Sequence, residues 1–136
     1  MNPSSFTSEK REFVRVKVSL PVRYKFLSHE IEGTPEAMEI HEGTTNNLSG
    51  GGLLLKGRIP RLEWISGMLM EKIAVGVNLY LPKFDLPVKA LTRVAWIEGL
   101  EEGSQKCHLG LRFKEIAGDG EDQILQFIIK CSMPGN

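Results

Sequence analysis

The stretch Val14-Arg15-Val16-Lys17-Val18-Ser19-Leu20-Pro21-Val22-Arg23-Tyr24-Lys25-Phe26 alternates apolar with polar residues along its length. Because successive side chains of a strand point to opposite faces, this pattern predicts a long strand with its even-numbered residues in the core. The odd-numbered residues, including Arg15, then face outward. Pro21 cannot donate a hydrogen bond to a neighbouring strand, so we expect an edge, a bulge or a bend at that position.

Five segments further along the chain carry the same two-residue period. The second predicted strand runs from Met38 to Ser49, the third from Leu53 to Lys56, the fourth from Ile73 to Leu81, the fifth from Val88 to Trp96 and the sixth from Cys107 to Phe113. In the second strand the period places Met38, Ile40 and Leu48 inward. Asn47 and Ser49 then face outward together.

In the fifth strand the same period places Trp96 on the inner face with Val94. The C-terminal segment has a helical period instead. Its apolar residues are spaced three or four apart: Ile124, Phe127, Ile128 and Cys131. This spacing predicts an amphipathic helix that starts at Gly120 and is capped by Asp119.

Short strands joined by tight turns favour an antiparallel sheet that closes on itself, since closure removes exposed edges. The sequence therefore predicts an all-β fold, a six-stranded antiparallel barrel with a C-terminal α-helix. The length of 136 residues fits one domain. We expect a flexible N-terminal segment at 1–9 and the folded domain at 10–133.

Within that domain, residues 58–72 are predicted to form an insertion or a short helix, because a helical period there is opposed by Pro60 and Gly67. Trp64, Met68 and Met70 make this segment apolar enough for either of two roles. They could cap one end of the core, or they could contact another chain.

The composition excludes several classes of protein. Hydrophobic residues make up 41% and charged residues 25%, which is typical of a soluble globular protein. No apolar run approaches the roughly 20 residues that span a bilayer, and no secretory signal is visible, so we expect a cytoplasmic protein without membrane insertion. Lys and Arg together number 17, as do Asp and Glu, so the chain lacks the positive field that favours DNA or RNA.

Motifs for catalysis or metal binding are absent from the sequence. His29, His41 and His108 are scattered without ligand spacing, and Cys107 and Cys131 are expected to be reduced thiols in the core. Ser49 lacks the frame of a nucleophile elbow. We therefore expect neither an enzyme nor a cofactor.

The stretch Asn47-Leu48-Ser49-Gly50-Gly51-Gly52 joins the second and third predicted strands. Three consecutive glycines are costly to order, so they indicate a bulge, a sharp bend or the close approach of another group. A polar pair beside bare backbone suits a flat ligand that forms hydrogen bonds. The alternative is a hairpin turn with no further role.

Two motifs together resemble the PilZ domain family. One is R-x-x-x-R at Arg11 and Arg15, within Lys10-Arg11-Glu12-Phe13-Val14-Arg15, and the other is N-x-S-x-x-G at Asn47, Ser49 and Gly52. The stretches Arg93-Val94-Ala95-Trp96 and Leu109-Gly110-Leu111-Arg112-Phe113 also look like later strands of the family. The resemblance covers roughly residues 9 to 131 and implies a PilZ-like barrel.

The resemblance implies that the ligand is cyclic di-GMP. Arg11 and Arg15 would be the lead contacts, since a guanidinium can fork onto phosphate or guanine and can stack on a purine. Lys10 would add charge without the planar fork. The amide of Asn47 would meet a guanine edge, and Ser49 would form a nearby hydrogen bond.

Gly50, Gly51 and Gly52 would shape the turn and permit close approach of the ligand. Such a receptor acts through an effector protein that no motif identifies, and a homodimer stays open. The alternative is an adaptor of the same fold that binds no nucleotide and uses Trp64, Met68 and Met70 as a protein contact.

Overall fold

The long alternating segment forms two strands, β1 (Arg15–Lys17) and β2 (Pro21–Leu27), in the computed structural model, which describes residues 14–133. Both pair antiparallel with β3 (His41–Ser49), β1 with its carboxyl half and β2 with its amino half. They are therefore two pieces of one predicted strand. The interruption comes just before Pro21, where the missing N–H predicted an irregularity.

Thr45 holds the two pieces in line. It is fully buried, its backbone N–H donates to the carbonyl of Leu20 at 2.9 Å, and the N–H of Leu20 donates to its Oγ1 at 2.9 Å. Its hydroxyl in turn donates to the carbonyl of Val18. One side chain thus satisfies backbone groups that leave the ladder where the strand breaks, and buried groups of this kind are costly when they have no partner.

The remaining strands close the sheet into a barrel. They are β4 (Gly52–Arg58), β5 (Ala74–Leu79), β6 (Val88–Glu98) and β7 (Lys106–Ile116). The spatial order is β3-β2-β5-β6-β7-β4, and β4 pairs back with β3, always antiparallel. With β1 and β2 counted as one interrupted strand, this is the predicted six-stranded antiparallel barrel.

The barrel interior is a single apolar core that contains an aromatic cluster. Phe26 meets Tyr24 and Trp64 edge-on, with ring centroids 5.7 and 5.4 Å away. The Tyr24 hydroxyl accepts from the N–H of Arg58 and donates to its carbonyl, both at 2.8 Å. Burial raises the pKa of Tyr24, so the phenol stays neutral inside the core.

A short helix, α2 (Trp64–Leu69), lies within the segment for which two roles were open, and α1 (Pro35–Met38) precedes β3. Trp64 and Met68 are 5% and 0% exposed, so these two residues cap the core. Leu69 and Met70 are outside it, at 48% and 61% exposure. The alternative role of a protein contact is therefore ruled out for Trp64 and Met68, because their side chains are already buried.

The predicted inward positions of Met38 and Ile40 are also wrong, since these residues are 71% and 66% exposed. Met38 ends α1, a helical turn in which Thr34 caps the N–H of Ala37 at 3.3 Å and Pro35 takes the first position. The strand begins only at His41.

A bulge in β3 between Thr45 and Asn47 then shifts the alternation by one residue. Thr45 and Leu48 both face inward as a result. Leu48 is buried as the sequence predicted. An unbroken alternation from Thr45 would have turned it outward, so the bulge is what brings it to the inner face.

A second bulge, in β6 between Val94 and Trp96, overturns another prediction. Ala95 and Trp96 both lie on the outer surface, and Trp96 is 39% exposed instead of buried beside Val94. The extra residue reverses the faces of the positions that follow it.

The C-terminal helix, α3 (Gly120–Ser132), packs on the barrel through Ile124 and Ile128. Its start is fixed by close approach, because a Cβ on Gly120 would lie 2.7 Å from Val88. Asp119 occupies the N-cap position as predicted, but its side chain forms no capping hydrogen bond. The predicted core position of Cys131 is wrong, because this residue follows the last buried turn of the helix and is exposed. Cys107 is buried as predicted, and burial raises its pKa.

We expect Thr45→Val to lower the free energy of unfolding by about 1–3 kcal/mol, because it keeps the shape and leaves the backbone groups of Val18 and Leu20 without their partner. Urea denaturation measures this difference. Thr44→Val is the matched control, since Thr44 is the exposed neighbour in the same strand. Equal loss in the two variants would contradict the role given to the Thr45 hydroxyl.

Candidate functional site

Strand pairing brings Arg15 beside the polar turn. Arg15 is directly opposite Ser49 across the β1–β3 ladder, and Lys17 is opposite Asn47. Paired residues on neighbouring strands lie about 5 Å apart, so the Arg15 backbone is next to the Asn47–Gly52 stretch. Arg15, the one arginine of the first motif within the described residues, thus lies beside the second motif although some thirty residues separate them in sequence.

Ser49 differs from its expected outward position, since it is only 7% exposed. Its Oγ accepts from the N–H of Gly51 at 3.2 Å and donates to the carbonyl of Gly52 at 3.3 Å. The carbonyl of Gly51 accepts from the N–H of Phe113 at 2.9 Å, which ties the turn to β7. Ser49 therefore sets the shape of the turn from within.

Gly52 is required by the distance between two backbones. It pairs with Arg112 of β7, and a Cβ on Gly52 would lie 2.0 Å from the carbonyl oxygen of Leu111. Atoms of the backbone cannot move away as a flexible side chain can. The last position of the N-x-S-x-x-G pattern thus has a structural reason that is independent of any ligand.

An open cleft of about 640 Å³ lies over this turn. Its walls come from β1, the β3–β4 turn, the outer faces of β6 and β7, and the start of α3. It is lined by Arg15, Asn47, Ser49, Gly50, Gly51, Gly52, Leu53, Leu54, Ala95, Trp96, Gly110, Leu111, Arg112, Phe113, Lys114, Ile116 and Glu121. Three cationic side chains and one carboxylate are in this set, which favours an anionic ligand.

Besides Arg15, five of the predicted ligand contacts line this cleft: Asn47, Ser49, Gly50, Gly51 and Gly52. Lys10 and Arg11 were also predicted as contacts and lie outside the described residues. Sequence reasoning missed the wall formed by Trp96, Gly110 and Arg112. The sequence offered one signal for it, a glycine at an outward position of the sixth predicted strand, since glycine within a strand often marks the close approach of another group.

Metal chemistry finds no support in this part of the chain. Residues 14–133 hold no group of three or more His, Cys, Asp or Glu side chains arranged to bind a metal ion. His41 packs against Tyr24 and Phe26, with ring centroids 5.3 and 5.6 Å apart. None of the helices described is long and apolar enough to cross a membrane.

The model of the PilZ domain family matches residues 9–130 of the chain. Among solved structures, the chain is similar to the Bacillus subtilis inhibitor of motility MotI/DgrA, with a TM-score of 0.65 and 20% identity. That match covers 93% of this chain and 53% of the other, so the chain spans about half the length of that protein. A comparison with curated proteins finds no match.

Two isolated domains are similar over most of both chains. The PilZ domain with c-di-GMP of YcgR from Escherichia coli matches with a TM-score of 0.55 and 10% identity, covering 86% of this chain and 87% of that one. The PilZ domain of CeSA from a cellulose-synthesizing bacterium matches at 0.54 and 16%, covering 88% and 98%. At these identities the likeness shows the fold.

We expect Gly52→Ala to destabilise the protein by about 1–3 kcal/mol or more, because its methyl group would push β4 away from the Leu111 carbonyl. The control is Gly76→Ala, whose Cβ would meet the end of the flexible Leu27 side chain at 3.2 Å and the Lys25 carbonyl oxygen at an ordinary 4.0 Å. Thermal and urea unfolding of both variants would test this. If Gly52→Ala were as stable as the control, the close approach at Gly52 would not be the reason for the glycine.

Proposed function

The chain belongs to the PilZ domain family, and on that premise we propose that it is a cytoplasmic receptor for cyclic di-GMP that passes the level of this second messenger to a partner protein. The observation that supports the proposal is the pairing of Arg15 with Ser49, since it puts Arg15 in the same cleft as the Asn47–Gly52 turn. In this proposal the domain acts by binding and performs no catalysis.

The chemistry of the cleft suits this ligand. Cyclic di-GMP carries two phosphates and two guanines, and guanidinium groups can bind either of them in a forked geometry. Arg15 is exposed, and within residues 14–133 its side chain forms no ion pair or hydrogen bond. It can therefore turn to a ligand without breaking a contact inside the described domain.

Asn47 and the glycines supply the neutral part of the proposed site. Asn47 is half-buried at the cleft, where its amide could donate to and accept from a guanine edge. Next to Asn47, Gly50 and Gly51 expose backbone that carries no side chain. Ser49 holds this turn by its internal hydrogen bonds, so its proposed role is to position the turn for the ligand.

In this proposal Arg11 and Lys10 add further ligand contacts from the segment that precedes Arg15. Arg11 precedes Arg15 by four residues and Lys10 by five, so both are attached to the edge of the cleft by a short length of chain. They would add charge beside Arg15. Because the chain as a whole has no net charge, binding should depend on this local concentration of cations.

The adaptor that binds no nucleotide is less well supported. Two of its three contact residues, Trp64 and Met68, are buried in the core. Of the three, Met70 alone is exposed, at 61%, so the contact as predicted keeps one of its residues.

Calorimetric titration of the full chain with cyclic di-GMP tests the proposed function. We expect saturable binding, and we expect Arg15→Ala to weaken it by about 1–3 kcal/mol, the range for a bidentate arginine contact. Lys89→Ala is the control, because Lys89 is an exposed cation that lines a different groove. Absence of both binding heat and thermal stabilisation at high ligand concentration would disprove the receptor.

A further inference from the structure

We propose that two surfaces of this barrel are complementary to each other, so that an acidic turn of one copy docks in a basic, apolar groove of a second copy. The groove lies on the outer faces of β2, β5 and β6, and the acidic turn, residues 98–104, joins β6 to β7. This inference goes beyond the proposed function and does not depend on it, because its charged and apolar contact residues do not line the cleft.

The groove has a volume of about 460 Å³ and a glycine in its floor. Lys25 of β2 is opposite Gly76 of β5, which in turn is opposite Leu91 of β6. Because Gly76 carries no side chain, the sheet is recessed between its two neighbours. Two aliphatic residues of the wall, Leu27 and Ile40, are 41% and 66% exposed. The recess therefore offers apolar surface to another molecule.

The groove also has an excess of positive charge. Its lining includes Arg23, Lys25 and Lys89, while Glu115 alone is acidic among the described residues that line it. Arg23 forms an ion pair with Glu42 at 3.4 Å, but Lys25 and Lys89 take part in none of the ion pairs within residues 14–133. A segment that carries carboxylates around an apolar side chain would complement both properties of the groove.

The acidic turn has this chemistry. It begins Glu98-Gly99-Leu100-Glu101-Glu102, and its three carboxylates are exposed. Leu100 lies between them and is 42% exposed. None of the three carboxylates forms an ion pair with another residue of the described chain. Three negative charges therefore flank an apolar side chain at the end of a hairpin.

Hydrogen bonds hold this turn in one shape. The N–H of Glu101 donates to the carbonyl of Lys106 at 2.9 Å, and the N–H of Gln105 donates to the carbonyl of Glu101 at 2.9 Å. Arg58 of β4 donates from Nε to the carbonyl of Ser104 at 2.9 Å and from Nη2 to Oε1 of Gln105 at 3.2 Å. A turn that is already ordered loses little conformational entropy when it docks.

The acidic turn cannot reach the groove of its own chain. Lys89 is near the start of β6 and Glu98 is at its end, and the strand between them spans roughly 30 Å. Contact therefore requires a second copy. Because the two surfaces differ, the contact is heterologous and joins copies head to tail. One turn in one groove is smaller than the standard interface of roughly 1,600 Å², so we expect weak association at high protein concentration.

Sedimentation of the full chain over a series of concentrations tests this contact. We expect the average mass to rise with concentration, and the rise to be smaller at high salt because exposed charges are screened. Leu100→Ser should weaken association roughly 3- to 10-fold, since about two fifths of the leucine remain to be buried. A monomer at every concentration would overturn the contact and leave the groove to an acidic segment of another protein.

An exchange of charge between two variants tests which surfaces meet. Lys25→Glu with Lys89→Glu makes the groove acidic, and Glu98→Lys with Glu102→Lys makes the turn basic. We expect each double variant to be monomeric alone, because its groove and its turn then carry the same charge. A mixture of the two should associate, because it again contains surfaces of opposite charge. Melting temperatures verify that both variants are folded.

A control with Lys56→Glu and Lys130→Glu has the same net charge as the groove variant but alters exposed cations of β4 and α3. It should associate as the wild-type chain does. Equal loss in this control, association of either charge variant alone, or a mixture that stays monomeric would overturn the proposal. Both charge variants should bind cyclic di-GMP with wild-type affinity, since the altered residues lie outside the cleft. Failure of the wild-type chain to bind this ligand would disprove the receptor and not the contact between copies.

Discussion

The structure depends on closure of the barrel at β3. This strand has β1 and β2 along one edge and β4 along the other, and β4 continues the sheet to β7. Closure leaves no long edge exposed and gives each inward side chain a packed neighbour. It also fixes the outer surface, because every residue that points out is held in register with residues on two neighbouring strands. The cleft is a product of that register.

The core pattern of the fold could be predicted from sequence, since alternation of apolar residues is a direct consequence of burying one face of a strand. Val22, Tyr24 and Phe26 follow from it, although Val14 at the start of that segment is 44% exposed and not buried as predicted. Ile124 and Ile128 follow from the helical period of the C-terminal segment instead. Trp96 does not, because a bulge adds one residue to one strand and no residue type announces it. Met38 fails for a different reason, since the cap at Thr34 and the proline after it make a helical turn of residues that alternate like a strand.

The candidate site could also be predicted only in part. The order and spacing of the motifs led to Arg15 and the Asn47–Gly52 turn, and the strand register places them together. Trp96 and Arg112 were not recognised as part of one surface, because sequence does not contain the pairing of β4 with β7 or of β7 with β6. Motif spacing in the sequence thus identifies Arg15 and the turn, whereas the strand pairing of the structure is needed to identify the other residues that line the same cleft.

The contact between Trp96 and Gly110 makes two positions on different strands depend on each other. Any side chain at 110 would lift the indole from the β7 backbone, and a small residue at 96 would remove the reason for glycine at 110. Within a set of homologous barrels these two sites should therefore vary as a pair, with a large aromatic residue at one accompanied by glycine at the other. Such covariation would mark the shape of the cleft in sequences that have kept the barrel and changed the ligand.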